Sequence, residues 1–226
     1  MASHANLPGP ILIVGGGQGI GAALATGFGA AAVVWTRSRG VDATDPGSLA
    51  AALSTLQAQR GTPYALLHCV GDFHEAPLRG TTAAAYRDQF ASYVDSAFHT
   101  LQTVVPAMLA TGRPGRVVLF AAAGVDKQQA MRRAPVYFAA KAALVQLGRS
   151  LAAEVAAAGI TVNVVAPGLI HHPHSHQQSQ ARMLPRVPAG RLGTPDDVTG
   201  LVHYLLDPAA AYLTGQVLTV DGGLWA

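Results

Sequence analysis

An α/β fold, with helices packed on both faces of a parallel sheet, is predicted by two features of this 226-residue sequence. Short apolar runs alternate with longer Ala-rich stretches of helical periodicity. The runs are apolar on successive residues rather than alternate ones, the pattern of strands covered on both faces. They are ILIVG (11–15), AVVWT (32–36), ALLHCV (65–70), RVVLFA (116–121), TVNVVA (161–166) and QVLTV (216–220). Helical periodicity is clearest over 84–111, 135–158 and 195–206. With no visible linker or repeat, the whole of 1–226 reads as one domain.

One connection is too short for the regular pattern. Only Arg37, Ser38, Arg39 and Gly40 separate the second run from VDATD (41–45), whereas a parallel crossover needs a dozen or more residues. The third strand is therefore expected to be reduced or absent, with the chain entering a helix near 46–59.

Composition narrows the classes of function. Half of the residues are hydrophobic and 12% are charged, which suits a sizeable core. A net charge of +3, spread rather than blocked, predicts no nucleic-acid partner. The single cysteine, Cys69, forms no internal disulfide and fits a reducing compartment. No apolar run approaches the ~20 residues of a membrane span, and the opening MASHANLPGP lacks a signal peptide's apolar core. The expectation is a cytoplasmic protein acting on a small molecule, with no membrane partner.

The first run continues into VGGGQGIGAALATGF, where Gly15, Gly19 and Gly21 stand in a Gly-xxx-Gly-x-Gly spacing around Gly17, Gln18 and Ile20. Glycine at a strand-to-helix turn admits a pyrophosphate close to the backbone, and the helix that follows offers unpaired N–H groups at its positive end. This points to a dinucleotide. At the end of the second run an acidic residue would read a free 2′-hydroxyl, whereas Arg complements a 2′-phosphate. Arg37 and Ser38, with Arg39 behind them, favour NADP(H). Asp42, followed by Ala43, is expected along the same edge, its carboxylate open to the adenine amino group.

PVYFAAK (135–141) places Tyr137 and Lys141 four residues apart, on one face of a helix. The pair is either a proton donor with an adjacent cation or an ordinary amphipathic face with a snorkelling lysine.

Taken together, VGGGQGIG, Tyr137-x-x-x-Lys141, VNVVAPGLI (162–170) and LTGQVLTVDGG (213–223) resemble the short-chain dehydrogenase/reductase family over nearly the whole chain. The second half is especially similar to β-ketoacyl carrier-protein reductases. The resemblance implies a Rossmann-type fold and a reductase that delivers hydride to a small carbonyl, quinonoid or imine carbon. Tyr137 would be the proton donor. Lys141 would bind the nicotinamide ribose and lower the phenol's pKa. The family's NNAG turn becomes HCVG (68–71), which leaves backbone contacts at Val70 and Gly71. Pro167, Gly168 and Ile170 would pass beside the nicotinamide, and the segment at about 171–190 would form a substrate lid. Long helices and the C-terminal strand would pair subunits into a homodimer or homotetramer.

The chain also departs from the family. The usual Ser at the end of RVVLFA is missing, because Ala121–Ala123 lack a hydroxyl, and a usual Asn aligns with Tyr93. Tyr93, Asp126, Gln128 and the lid are candidates for a replacement donor. A non-redox lyase or isomerase using Tyr137, and a cofactor-binding protein without turnover, stand as alternatives. His171, His172, His174 and His176 lie on a Pro-interrupted loop rather than a fixed framework, so no metal is expected there. His172 falls near the place of a Thr that the family sets beside the nicotinamide. Lys127, Arg132 and Arg133 precede the Tyr137 helix, where they would attract an acidic substrate.

Overall fold

The computed structural model describes residues 7–71, 73–127, 130–173, 175 and 177–226. Six strands form one wholly parallel sheet: β1 (Ile11–Val14), β2 (Ala32–Trp35), β3 (Ala65–His68), β4 (Gly115–Phe120), β5 (Ile160–Pro167) and β6 (Val217–Val220), in the order β2-β1-β3-β4-β5-β6. Each coincides with one of the apolar runs. Every residue of β1, β3 and β4 is buried, whereas the edge strands β2 and β6 are only partly covered. Successive apolar residues are needed because alternate side chains enter opposite cores. Leu12 and Val14 pack into the core beneath α2 (Pro46–Arg60), α4 (Ser96–Ala110) and α5 (Pro135–Val155). Ile11 and Ile13 pack into the core beneath α1 (Gly19–Phe28) and α7 (Pro195–Leu206).

Between β2 and α2 the described residues contain no strand. The chain makes one 3-10 turn at Arg37–Arg39 and reaches α2 after Asp45, whose carboxylate accepts from the amides of Gly47 and Ser48. This N-cap, followed by Pro46, starts the helix at once. β2 is therefore a sheet edge, and β1 hydrogen-bonds to both β2 and β3. The direction of winding reverses at β1, so a crevice opens beyond the carboxyl ends of β1 and β3, where ligands bind in open α/β sheets.

The long helical region predicted before β4 is broken. α3 (Ala83–Phe90) passes into a π-helical turn at Ala91–Asp95 before α4 begins. Such turns widen a helix by one residue and often mark functional sites. Here it carries Tyr93, which is 1% exposed. After β5, the stretch predicted as a lid contains α6 (Gln177–Met183) and a 3-10 turn at Leu184–Arg186.

Candidate active site

A cavity of about 1260 Å³ opens in the crevice, larger than the ~300–1000 Å³ typical of small-ligand pockets. Every residue predicted to bind cofactor lines it: Gly15, Gly17, Gln18, Gly19, Ile20, Gly21, Arg37, Ser38, Asp42, Ala43, Val70, Gly71, Tyr137, Lys141, Pro167, Gly168 and Ile170.

At one end, the turn from β1 into α1 aims the helix N-terminus into this space. Gln18 occupies the N-cap without a side-chain cap bond, so its side chain leaves the first-turn amides to a ligand. Gly21 is required by close packing, because a Cβ there would lie 2.8 Å from the Gly15 carbonyl oxygen. Beside this cradle, Arg37 Nε stands 3.3 Å from Asp42 Oδ2, and the hydroxyls of Thr36 and Ser38 are 3.0 Å apart. Asp42 Oδ1 accepts from the amide and hydroxyl of Thr44, at 2.9 and 2.7 Å. These Thr44 bonds, more than the Arg37 charge, hold the Asp42 carboxyl below its usual range. Asp42 thus braces its own loop and Arg37, a role its sequence position did not suggest.

Deeper in, Pro135 opens α5, and Tyr137 lies on the first turn with Lys141 one turn later. The Lys141 ammonium donates to the Phe120 carbonyl at 2.9 Å and lies 4.8 Å from the centre of the Tyr93 ring. Tyr93 in turn meets Tyr137 edge to face at 5.6 Å. Its ring rests on Gly71, which has φ +119° and where any Cβ would overlap it. Tyr137 is further enclosed by Phe73 at 5.0 Å and Phe138 at 5.3 Å.

This enclosure corrects one expectation. Burial raises the Tyr137 phenol well above its ordinary value instead of Lys141 lowering it. In the HCVG turn, burial first and the Lys141 charge after it drive His68 down to about 3. Cys69 rises to about 12, burial outweighing the lysine. His68 is wholly buried and neutral, with Nε2 3.2 Å from Ser96 Oγ.

Of the proposed replacement donors, Tyr93 and Asp126 do not line the cavity, and Gln128 lies outside the described residues. Ala121–Ala123 do line it, as do Ser92 and Ser96, the Ser96 hydroxyl being turned to the Ser92 carbonyl and His68. His172 faces the cavity, its ring 3.4 Å from where a Gly19 Cβ would be. His174 and His176 lie outside the described residues, among which no group of three metal-ligating side chains occurs. Arg132 and Arg133 line the cavity, and Lys127 does not.

Other wall residues had no signal in the sequence reading. Glu75, in the loop after β3, joins Ser179, Arg182 and Arg186 of the segment after β5. Leu224 and Trp225, just past the C-terminal strand, line the cavity as well. Asp221 holds them by accepting from the amides of Gly223 and Trp225, each at 2.9 Å.

Residues 17–225 match the family model described as enoyl-(acyl carrier protein) reductase. The chain is 33% identical over 193 residues to a 2-keto-3-deoxy-L-fuconate dehydrogenase of Xanthomonas campestris pv. campestris; the match covers 81% of this chain and 62% of that relative, less than two thirds of its length. It is 34% identical over 188 residues to the 3-oxoacyl-[acyl-carrier-protein] reductase FabG of Escherichia coli strain K12, covering 82% of this chain and 76% of that one. A gluconate 5-dehydrogenase from Burkholderia cenocepacia J2315, solved in complex with NADP and tartrate, superposes with a TM-score of 0.84 at 27% identity, covering 96% of this chain and 95% of the other. Glycine cradle, Tyr137, Lys141, sheet order and these likenesses agree, and the chain belongs to the short-chain dehydrogenase/reductase family of oxidoreductases.

Proposed function

We propose that this protein is an NADPH-dependent reductase of a small carbonyl, quinonoid or imine substrate, with Tyr137 as the proton donor. The observation that carries the reading is the sharing of one cavity by the Gly15–Gly21 cradle, Arg37, Tyr137 and Lys141. The residues fit a dinucleotide: a glycine-lined helix N-terminus for the pyrophosphate, Arg37 and Ser38 for a 2′-phosphate, and Lys141 for a ribose. The NADP held by the gluconate 5-dehydrogenase supports the same choice.

The bound nicotinamide would supply hydride. The protein's share is to exclude water, orient the reacting carbon and move one proton. Phe73, Phe138 and Tyr93 pack around Tyr137 and keep its phenol protonated at neutral pH, ready to donate to the substrate oxygen or nitrogen. Ala121–Ala123 add no hydroxyl at the reacting atom, which suits an acceptor needing a single donor. The segment at about 171–190 would serve as the lid. We further propose a homodimer or homotetramer, supported by exposed Phe98 and Leu109 on α4 and by the edge strand β6.

The test is NADPH oxidation, followed by loss of absorbance, with a panel of ketones, quinones and imines. Turnover that Tyr137→Phe abolishes supports the reading. Product formed without cofactor oxidation would favour a lyase or isomerase, and tight NADPH binding without any product would favour a cofactor-binding protein.

A further inference from the structure

The outer part of the cavity is rich in one charge. Four guanidiniums, Arg132, Arg133, Arg182 and Arg186, line it with a single carboxylate, Glu75. They come from three separate places in the chain: the approach to α5, the segment after β5, and the loop after β3. Glu75 is the hub. Its Oε1 lies 2.6 Å from Arg182 Nη2 and 3.5 Å from Arg133 Nη1, and its Oε2 accepts from the Ser179 hydroxyl. Ser179 also accepts from Arg182 Nη2 at 3.1 Å.

Arg186 is engaged differently, with its guanidinium 5.3 Å from the centre of the Trp225 ring. Arg132 has no carboxylate partner among the described residues, and Arg133 and Arg182 keep side-chain exposures of 64% and 38%. Guanidiniums matched to one carboxylate form a geometry that a second carboxylate can enter bidentately. The cluster is near the chemistry: Phe73, two residues before Glu75, packs against Tyr137.

Resting on the reductase reading above, we propose that this end of the cavity is a carboxylate subsite. The substrate is then an oxo acid, or an acidic imine or quinonoid, whose carboxylate binds Arg132, Arg133 and Arg182. Glu75 acts as an internal competitor that holds two of these arginines until an acid replaces it. A simple clasp between Glu75 and α6 makes the opposite prediction at one position, because removing Glu75 would then loosen the site instead of freeing it.

The experiment titrates succinate, 4-oxopentanoate and methyl 4-oxopentanoate by calorimetry into protein saturated with NADP⁺, which holds no hydride to reduce the ketones, at constant ionic strength and neutral pH. Saturation fills the Arg37 end, so that any acid taken up reports on the outer end. Charge-assisted hydrogen bonds predict the acids binding roughly 10-fold or more tighter than the ester. Arg133→Gln and Arg182→Gln should each lose about that factor, while Glu75→Gln should gain several-fold. Circular dichroism melts would confirm that each variant folds.

Equal binding of acid and ester, no binding of either acid, or weaker acid binding by Glu75→Gln would overturn the subsite. Failure to take up NADP⁺ in the first titration would count against the reductase reading instead, and the acid-against-ester comparison on the free protein would still decide the subsite.

Discussion

The Lys141 ammonium lies 4.8 Å from the centre of the Tyr93 ring, at a site where both side chains are almost fully buried. A cation over an aromatic face gains about 2 kcal/mol or more when water is excluded, which is roughly 30-fold in a rate or binding constant. Tyr93 thereby holds the lysine from behind, while the Phe120 carbonyl holds it from the side. Tyr93→Leu should therefore lower kcat/KM about 30-fold, and Tyr93→Phe, which keeps the ring, should stay within about five-fold of wild type. Steady-state kinetics with NADPH, beside a melting curve for each variant, distinguishes a lost lysine orientation from a lost fold.

Tyr137 carries a second prediction. Removing a general acid from its position costs ~10²–10⁴-fold, so Tyr137→Phe should lose turnover in that range and keep NADPH affinity. In the cofactor-free protein, burial raises the phenol's pKa. The folded state then holds its proton more tightly than the unfolded state above pH 10, and stability falls as pH rises through that region. Tyr137→Phe should show a shallower alkaline loss of Tm. An alkaline slope identical to wild type would contradict the burial.

Acid stability depends on His68. It is neutral in the fold, with a pKa near 3, and becomes protonated in the unfolded chain near its ordinary value of 6.5. Its contribution is complete above pH 6.5 and is lost as pH falls from there toward 3, at up to about 1.4 kcal/mol per pH unit. His68→Gln should flatten the decline of Tm across that window. Thermal melts at half-unit pH intervals would measure it.

On the proposed reading, cofactor choice rests on Arg37. A guanidinium on a 2′-phosphate makes charge-assisted hydrogen bonds of ~1.5–3 kcal/mol, so Arg37→Gln should weaken NADPH about 10- to 100-fold and leave NADH little changed. Asp42→Asn, by removing the carboxylate 3.3 Å from Arg37, should tighten NADPH a few-fold. Calorimetric Kd values for both cofactors would check each change.

Much of the architecture was legible because it follows from local rules. Strands buried on both faces must be apolar throughout, and the partly covered edge strands β2 and β6 keep apolar runs too, so all six could be found; the four residues from Arg37 to Gly40 were too few for another crossover. The cavity wall was legible for a related reason: glycine spacing and the four-residue separation of Tyr137 and Lys141 are short-range patterns. The rest depends on contacts between distant parts of the chain. Nothing in ASYVD announces a π-helical turn, so Tyr93 read as an odd substitution and not as a support for Lys141. Glu75 and Arg182 are 107 residues apart, and only folding makes them partners. Trp225 has an apolar context that suits an interface equally well, until the Asp221 turn directs it inward.

Gly71 and Tyr93 constrain each other. A side chain at 71 would occupy the volume that the ring at 93 already fills, so the two positions are permissive only in one combination. With the aromatic present, glycine is the residue that position 71 accepts. Shrinking position 93 would leave a hollow beside Lys141, so a change at either position calls for a change at the other.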